Sequence, residues 1–241
     1  MTQRMVGLMG GMSWESSAEY YRLINQGVRA RLGGLHSARC VMWSFDFADI
    51  EALQHAGRWD EAGDALVAAA QGLMAAGAGA LLICTNTMHK LAGRVEAAVA
   101  IPLLHIADCT AVPIQQAGLR RIGLLGTAFT MEQDFYRGRL VERFGLDVLI
   151  PPADDRAEVH RIIYDELVQG RIEPRSRAIY RAVIERLIAR GAEAIILGCT
   201  EISLLVAQDD SAVPLFDTTA LHAAAAVEWA LAEGAPSYQR P

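Results

Sequence analysis

The sequence predicts an α/β protein of two pseudo-symmetric domains, each a short parallel sheet flanked by helices. Two observations carry that expectation. Short apolar runs alternate with longer amphipathic stretches along the whole chain, the pattern of parallel strands with covering helices. Three blocks then recur in the same order at nearly constant spacing. Val6-Gly7-Leu8-Met9-Gly10 matches Ile122-Gly123-Leu124-Leu125-Gly126. Gly77-Ala78-Gly79-Ala80, an aliphatic run and Cys84-Thr85 match Gly191-Ala192-Glu193-Ala194, a similar run and Cys199-Thr200. Ile101-Pro102-Leu103-Leu104 matches Val213-Pro214-Leu215-Phe216. Generic strand residues produce one such match easily and three ordered ones poorly.

The elements follow in order. Met5–Met9 is a strand ending in Gly10-Gly11, followed by a helix from about Ser16 to Leu32. Arg39–Phe45 reads as a strand, Asp60–Ala76 as a helix, and Ala80–Cys84 as a strand. Lys90–Ala98 is helical and Ile101–His105 extended. In the second half Ile122–Leu125 is a strand ending in Gly126-Thr127, and Met131–Phe144 a helix. Asp147–Ile150 is a strand, Arg156–Gln169 and Arg175–Arg190 are helices, and Ala194–Leu197 and Val213–Phe216 are strands. A last helix, about Ala220–Ala232, is expected to pack back on the first domain. The domains are thus drawn as 1–108 plus about 217–241, discontinuous, and 109–216, with residues after Glu233 a frayed tail.

Composition narrows the function. The chain has 241 residues, 52% hydrophobic, which supports a well-buried core and excludes disorder. Its net charge of −6 and the lack of a basic stripe argue against nucleic acid as a partner. Cys40, Cys84, Cys109 and Cys199 form no C-x-x-C and no zinc-type spacing. With no evident signal peptide, a cytoplasmic chain with reduced thiols is expected. Ala65–Cys84 is nearly free of charge, but Ala is too weakly apolar to drive insertion. The stretch reads as a buried helix followed by a core strand, so no membrane partner is expected.

Ligands of open parallel sheets bind beyond the carboxyl ends of strands. Four loops leave such ends with useful groups: Gly10-Gly11-Met12-Ser13, Cys84-Thr85-Asn86-Thr87, Gly126-Thr127-Ala128-Phe129-Thr130 and Gly198-Cys199-Thr200-Glu201. Gly7-x-x-Gly10-Gly11 is not a dinucleotide fingerprint, and no phosphate-loop motif occurs. A strand cysteine is ordinarily a small buried hydrophobe, the reading kept for Cys40 and Cys109. For Cys84 and Cys199 that reading must also explain paired placement, a Thr after each, and exit into polar loops. Two thiols facing a cleft from equivalent strand ends can act as acid and base on one carbon. Loop N–H groups and helix N-termini are expected to lower their pKa. His89 follows Cys84 by five residues and either assists it or packs; Glu201 either binds an ammonium, tunes Cys199, or is a first-turn acid. Trp14, Trp43, Trp59, Trp229, Tyr20 and Tyr21 read as packing groups, Arg137 and Arg139 as a solvated face, and His105 and Asp108 as supports behind the site.

These residues resemble the aspartate/glutamate racemase family over essentially the whole chain. GLMGGMSWES, LGGLHSA, ICTNTMHK, LLHIAD, GT-x-x-TMEQDFYRGRL and GCTEI look like its branch of broad-specificity amino-acid racemases. The two Cys-Thr motifs belong to the wider superfamily, and the TMEQDFYRGRL string points to the branch. The resemblance implies a cofactor-independent, metal-free, two-base mechanism on acidic or polar amino acids, in the cleft between the domains, and a homodimer. One of Cys84 and Cys199 removes the α-proton while the other delivers a proton to the opposite face. Donors to the substrate carboxylate come from Thr85, Asn86, Thr87, Thr127, Thr200 and backbone N–H groups of Gly11–Ser13, with Thr130 and Glu201 beside them; Met12 and Met131 wall the pocket. One departure stands out. Aspartate-selective members grip the distal carboxylate with basic side chains after the second strand. Here that loop runs Ser44-Phe45-Asp46-Phe47, with no base before His55 and Arg58. Neutral polar substrates become plausible. Other two-cysteine isomerisations, of hydantoins or maleate, stay open. So does a non-catalytic anion-binding module, which has no need of thiols; a cysteine hydrolase, with one nucleophile and an oriented His, fits poorly.

Overall fold

The computed structural model describes residues 3–232. The expected tail after Glu233 lies outside the described residues. The chain divides into two compact units. One runs to His105 and resumes at His222; the other is Ile106–Leu221.

The first unit is built on a parallel three-stranded sheet in the order β2-β1-β3. Its strands are β1 (Val6–Gly10), β2 (Cys40–Ser44) and β3 (Ala80–Ile83). β1 and β3 are fully buried, as a near-continuous apolar run covered on both faces demands. Helices α1 (Trp14–Leu32), α2 (Phe47–His55), α3 (Trp59–Ala75) and α4 (Ala92–Ala98) connect and cover them. Met9, Ile50, Leu66, Leu73, Leu81, Ile83, Val95 and Leu103 belong to one apolar core in this unit. Burying each such side chain is worth about 1.5–3 kcal/mol.

The second unit has four parallel strands in the order β5-β4-β6-β7: β4 (Arg121–Gly126), β5 (Asp147–Leu149), β6 (Ala194–Gly198) and β7 (Leu215–Asp217). Its helices are α5 (Ile106–Gln116), α6 (Ala128–Glu132), α7 (Asp134–Phe144), α8 (Ala153–Asp165), α9 (Pro174–Ala189) and α10 (Ile202–Leu205). Helix α11 (Thr218–Leu231) follows β7. From His222 onward it packs within the first unit, where Val227 meets Gly27 and Arg31 pairs with Glu228. No described helix is long and apolar enough to cross a membrane; Ala65–Cys84 is the end of α3, a turn and β3.

The sequence repeat is a repeat of hydrogen bonds. Gly77 and Gly191 turn at φ +96° and +94°. Gly79 N–H donates to Met5 O at 2.8 Å, and Glu193 N–H to Arg121 O at 2.8 Å. Leu81 N–H donates to Pro102 O at 2.9 Å, and Ile195 N–H to Pro214 O at 2.9 Å. The three strands of the first sheet and β5, β4 and β6 of the second therefore share order and direction, and the bridge at Leu103 stands where the second sheet has β7.

Some elements differ from expectation. Ile101–His105 reduces to one parallel bridge, Leu81 to Leu103. The helix expected from Met131 to Phe144 breaks into α6 and α7, because Gln133 adopts an extended ψ of 149°. Lys90–Ala98 is a 3₁₀ turn, Thr87–Leu91, running into α4, and the helix expected at Arg156–Gln169 is α8 with a 3₁₀ turn, Leu167–Gln169. Helices α2 and α5 were not expected. Trp14 and Tyr21 are exposed rather than packed, whereas Trp43, though partly exposed, packs its ring over Gly72 of α3 and beside Phe45. Trp59 stacks under the Lys90 ammonium, 4.0 Å from the ring centre. Arg139 is not a solvated residue: it forks onto both oxygens of Asp108, at 2.5 and 2.6 Å.

Candidate active site

In the first unit three loops leave the carboxyl ends of β1, β2 and β3. Gly11 follows β1 at φ +84°, and a Cβ there would lie 2.2 Å from the Phe45 carbonyl oxygen. Only glycine lets the loops after β1 and β2 approach this closely. Gly11 N–H donates to the Ser17 hydroxyl at 2.7 Å, and that hydroxyl donates to Ser13 O at 2.7 Å. Ser17, which the sequence did not single out, thus locks the loop. It also removes Gly11 N–H from the expected set of substrate donors. Ser13 caps α1 through Ser16 N–H. Met12 packs in the apolar core.

Cys84 is the first residue beyond β3 and is fully buried. Its N–H extends the ladder to Met9 O at 2.9 Å. Burial, and then the Cys40 thiol, push its pKa well above the ordinary thiol value. Desolvation outweighs the expected lowering by loop N–H groups. Asn86 and Thr87 are buried and Thr85 half-buried. The Thr85 carbonyl receives the His89 Nδ1–H at 2.8 Å, so His89 braces this loop. Its ring lies 4.5 Å from that of His105.

The loop after β2 holds no base. Asp46 instead caps α2, accepting from Ala48 N–H at 3.1 Å. His55 pairs with Glu51 and Arg58 with Glu61 on the exposed surface.

In the second unit Gly126 and Gly198 face one another at the ends of β4 and β6. A Cβ on either would come within 2.8 Å of a backbone oxygen of the other strand. Thr127 caps α6: its hydroxyl accepts from Thr130 N–H at 3.3 Å and lies 3.2 Å from the Thr130 hydroxyl. Met131 is fully buried in the core. His160, unforeseen from sequence, accepts from Ala128 N–H at 3.2 Å.

Cys199 follows β6 directly and is buried. Its thiol donates to Glu201 Oε2 at 2.9 Å, and the Thr200 hydroxyl donates to the same oxygen at 2.8 Å. Burial, then the Glu201 charge and this hydrogen bond, raise the Cys199 pKa well above its ordinary value; the N–H groups of Glu201 and Ile202 oppose them weakly. Tyr180, on α9, is buried within the electrostatic reach of Cys199, Glu166 and Glu201.

The two cysteines are close to equivalent but not identical in register. Met9 pairs with Ile83, whereas Leu125 pairs with Leu197 and Gly126 with Gly198. Aligned on the central strands, Cys84 matches Gly198, and Cys199 stands one residue further along. Among the described residues no group of three or more His, Cys, Asp or Glu is placed to hold a metal.

A model of the Asp/Glu/hydantoin racemase family matches residues 9–226. The chain belongs to that family. A crystal structure of a candidate Asp/Glu racemase from Yersinia pestis is 56% identical, with a TM-score of 0.90, covering 95% of this chain and 100% of that one. An aspartate racemase homologue from Pyrococcus horikoshii OT3 is 32% identical, with a TM-score of 0.82, covering 94% and 99%. A broad-specificity amino-acid racemase of Bacillus subtilis (strain 168) is 25% identical over 173 residues, 72% of this chain and 74% of that protein. Membership and these likenesses support an isomerase of the racemase kind, on a fold of two parallel sheets of three and four strands flanked by helices.

Proposed function

We propose that this family member racemises free acidic or broader polar amino acids without a cofactor, using Cys84 and Cys199 as acid and base on opposite faces of Cα. The observation that carries the reading is a buried cysteine placed directly after the strand that pairs with the central strand, once in each unit. In each direction one thiolate takes the α-proton, forming an S–H bond as the Cα–H bond breaks. The electron pair delocalises into the carboxylate as an enediolate-like charge. The second thiol gives its proton to the opposite face, and the two sulfurs end with exchanged protonation states. The α-proton is a very poor acid, so donors aimed at the carboxylate must stabilise that charge. Asn86, Thr85, Thr87, Thr127 and Thr200, which leave the strand ends beside the two cysteines, are the side-chain candidates for this role.

The loop after β2 bears on the choice of substrate. Its acid caps α2 and it offers no cation to a distal carboxylate. Neutral polar amino acids are therefore substrates alongside aspartate and glutamate. The same loop favours, as second reading, a two-cysteine racemase of hydantoins, whose neutral ring needs no distal cation. Proton NMR in heavy water across L- and D-amino acids separates the readings. Enzyme-dependent loss of α-proton signal identifies substrates; exchange of a hydantoin with no amino acid exchanging replaces the first reading by the second. We assign the working protein as a cytoplasmic homodimer, the commonest symmetric assembly, and sedimentation equilibrium tests the stoichiometry.

A further inference from the structure

The two Cys-Thr loops differ in one chemical respect. Two residues after Cys84 stands Asn86, a neutral amide; two residues after Cys199 stands Glu201, a buried carboxylic side chain. Glu201 Oε2 gathers two donors, the Cys199 thiol at 2.9 Å and the Thr200 hydroxyl at 2.8 Å. Thr200 thereby aims the carboxylate at the sulfur. Tyr180 is buried nearby, within reach of Cys199 and Glu201 and of Glu166. Beside Cys84 the structure places the Cys40 thiol instead.

A two-cysteine racemase works with one thiol proton fewer than it has thiols. That proton has two places to sit, and the enzyme form with a thiolate beside a carboxylate is the costlier. We propose that Glu201 is a positioning residue that keeps the proton on Cys199, so that the resting enzyme holds Cys199 as the acid and Cys84 as the base. The proposal rests on the racemase reading for its consequence, but the proton placement is measurable without turnover. It also predicts unequal kcat for the two enantiomers, since each starts from a different protonation form, while kcat/KM stays equal because free enantiomers are equal in energy.

Thiolates, not thiols, react with alkylating agents. The full chain and its Glu201→Gln variant are labelled with iodoacetamide across a pH series, with each cysteine followed by peptide mass spectrometry. The wild-type chain is expected to label Cys84 ahead of Cys199. The variant is expected to label Cys199 at least about tenfold faster at a given pH. An unchanged or slower Cys199 rate in the variant, or Cys199 labelling first in the wild type, overturns the proposal. Where burial keeps the reagent from both sulfurs, ultraviolet thiolate absorbance of Cys84→Ser and of Cys84→Ser/Glu201→Gln decides. A lower Cys199 midpoint in the double variant supports the assignment, and an equal or higher one sinks it. A chain that labels as expected yet exchanges no substrate proton keeps the assignment and loses the racemase reading.

Discussion

The Tyr20 hydroxyl donates to Nδ1 of His222 at 2.8 Å, joining α1 to α11 across 202 positions of sequence. The direction follows from the other ring nitrogen. Nε2 lies 2.7 Å from the Leu104 carbonyl, which can only accept, so Nε2 carries the proton and Nδ1 is the acceptor. This tautomer is neutral, and burial lowers the His222 pKa from 6.5 to about 4.

Acid should therefore loosen the first unit in a defined window. The native state binds its proton later than the unfolded chain does. The contribution of His222 is whole above pH 6.5 and is lost progressively as pH falls toward 4. The loss amounts to about 3 kcal/mol at the lower end, on 1.36 kcal/mol per pKa unit. Urea unfolding at several pH values checks this. A His222→Gln variant should be less stable at neutral pH and show a flatter pH profile; an equally steep profile would place the acid sensitivity elsewhere.

Replacing either catalytic candidate should nearly stop racemisation. Cys84→Ser and Cys199→Ser are each expected to lose about 10²–10⁴-fold in rate, the range of general acid–base contributions. Polarimetry reads the rate, and circular dichroism confirms folding. A single variant racemising at the wild-type rate removes the two-base scheme.

Gly11→Ala should be costly for reasons of space as well as conformation. The positive φ alone costs about 1–2 kcal/mol, and the added methyl meets the Phe45 backbone. Gly145→Ala is the control: it sits in the left-handed α region at φ +64° and ψ 23°, but nothing lies within 4 Å of the new Cβ. Thermal unfolding should show a loss of at least about 2 kcal/mol at position 11 and about 1 kcal/mol at position 145.

The half-buried fork between Arg139 and Asp108 ties α7 to α5, with Arg143 3.6 Å from the same carboxylate. Arg139→Met is expected to destabilise by about 1–3 kcal/mol. A double-mutant cycle with Asp108→Asn should give a coupling of about 0.5–3 kcal/mol. A coupling near zero would make the pair a surface ornament.

The strands were the most legible part of the sequence. β1, β3 and β6, and β4 after its exposed first residue Arg121, are covered on both faces, so each is an apolar run closed by glycine or cysteine, and the paired thiols announced themselves at the ends. Helix α2 was missed because its cap, Asp46, sits in a stretch that reads as an aromatic loop. Helix α5 was missed because Pro113 lies inside it, a residue that ordinarily ends a helix. The break at Gln133 leaves no trace in the apolar spacing on either side. In the candidate site, residue types were readable but their commitments were not. That Ser17 takes Gly11 N–H, that Thr127 caps a helix, and that the Cys199 thiol points at Glu201 are facts of three-dimensional approach. The expected lowering of thiol pKa failed on the same ground, since the depth of burial is a tertiary property.

The one-residue offset between the cysteines has a practical consequence for engineering. Strand for strand, the halves are built to one plan, which invites treating them as interchangeable parts. They are not. Grafting Gly191–Ile202 in place of Gly77–Met88 residue for residue would seat Gly198 where Cys84 stands and carry the thiol one step along the chain. Along a strand each step reverses the direction of the side chain. A symmetrised chimera, with two copies of either half, would thus need a deletion or insertion before its cysteine to recreate the native pair.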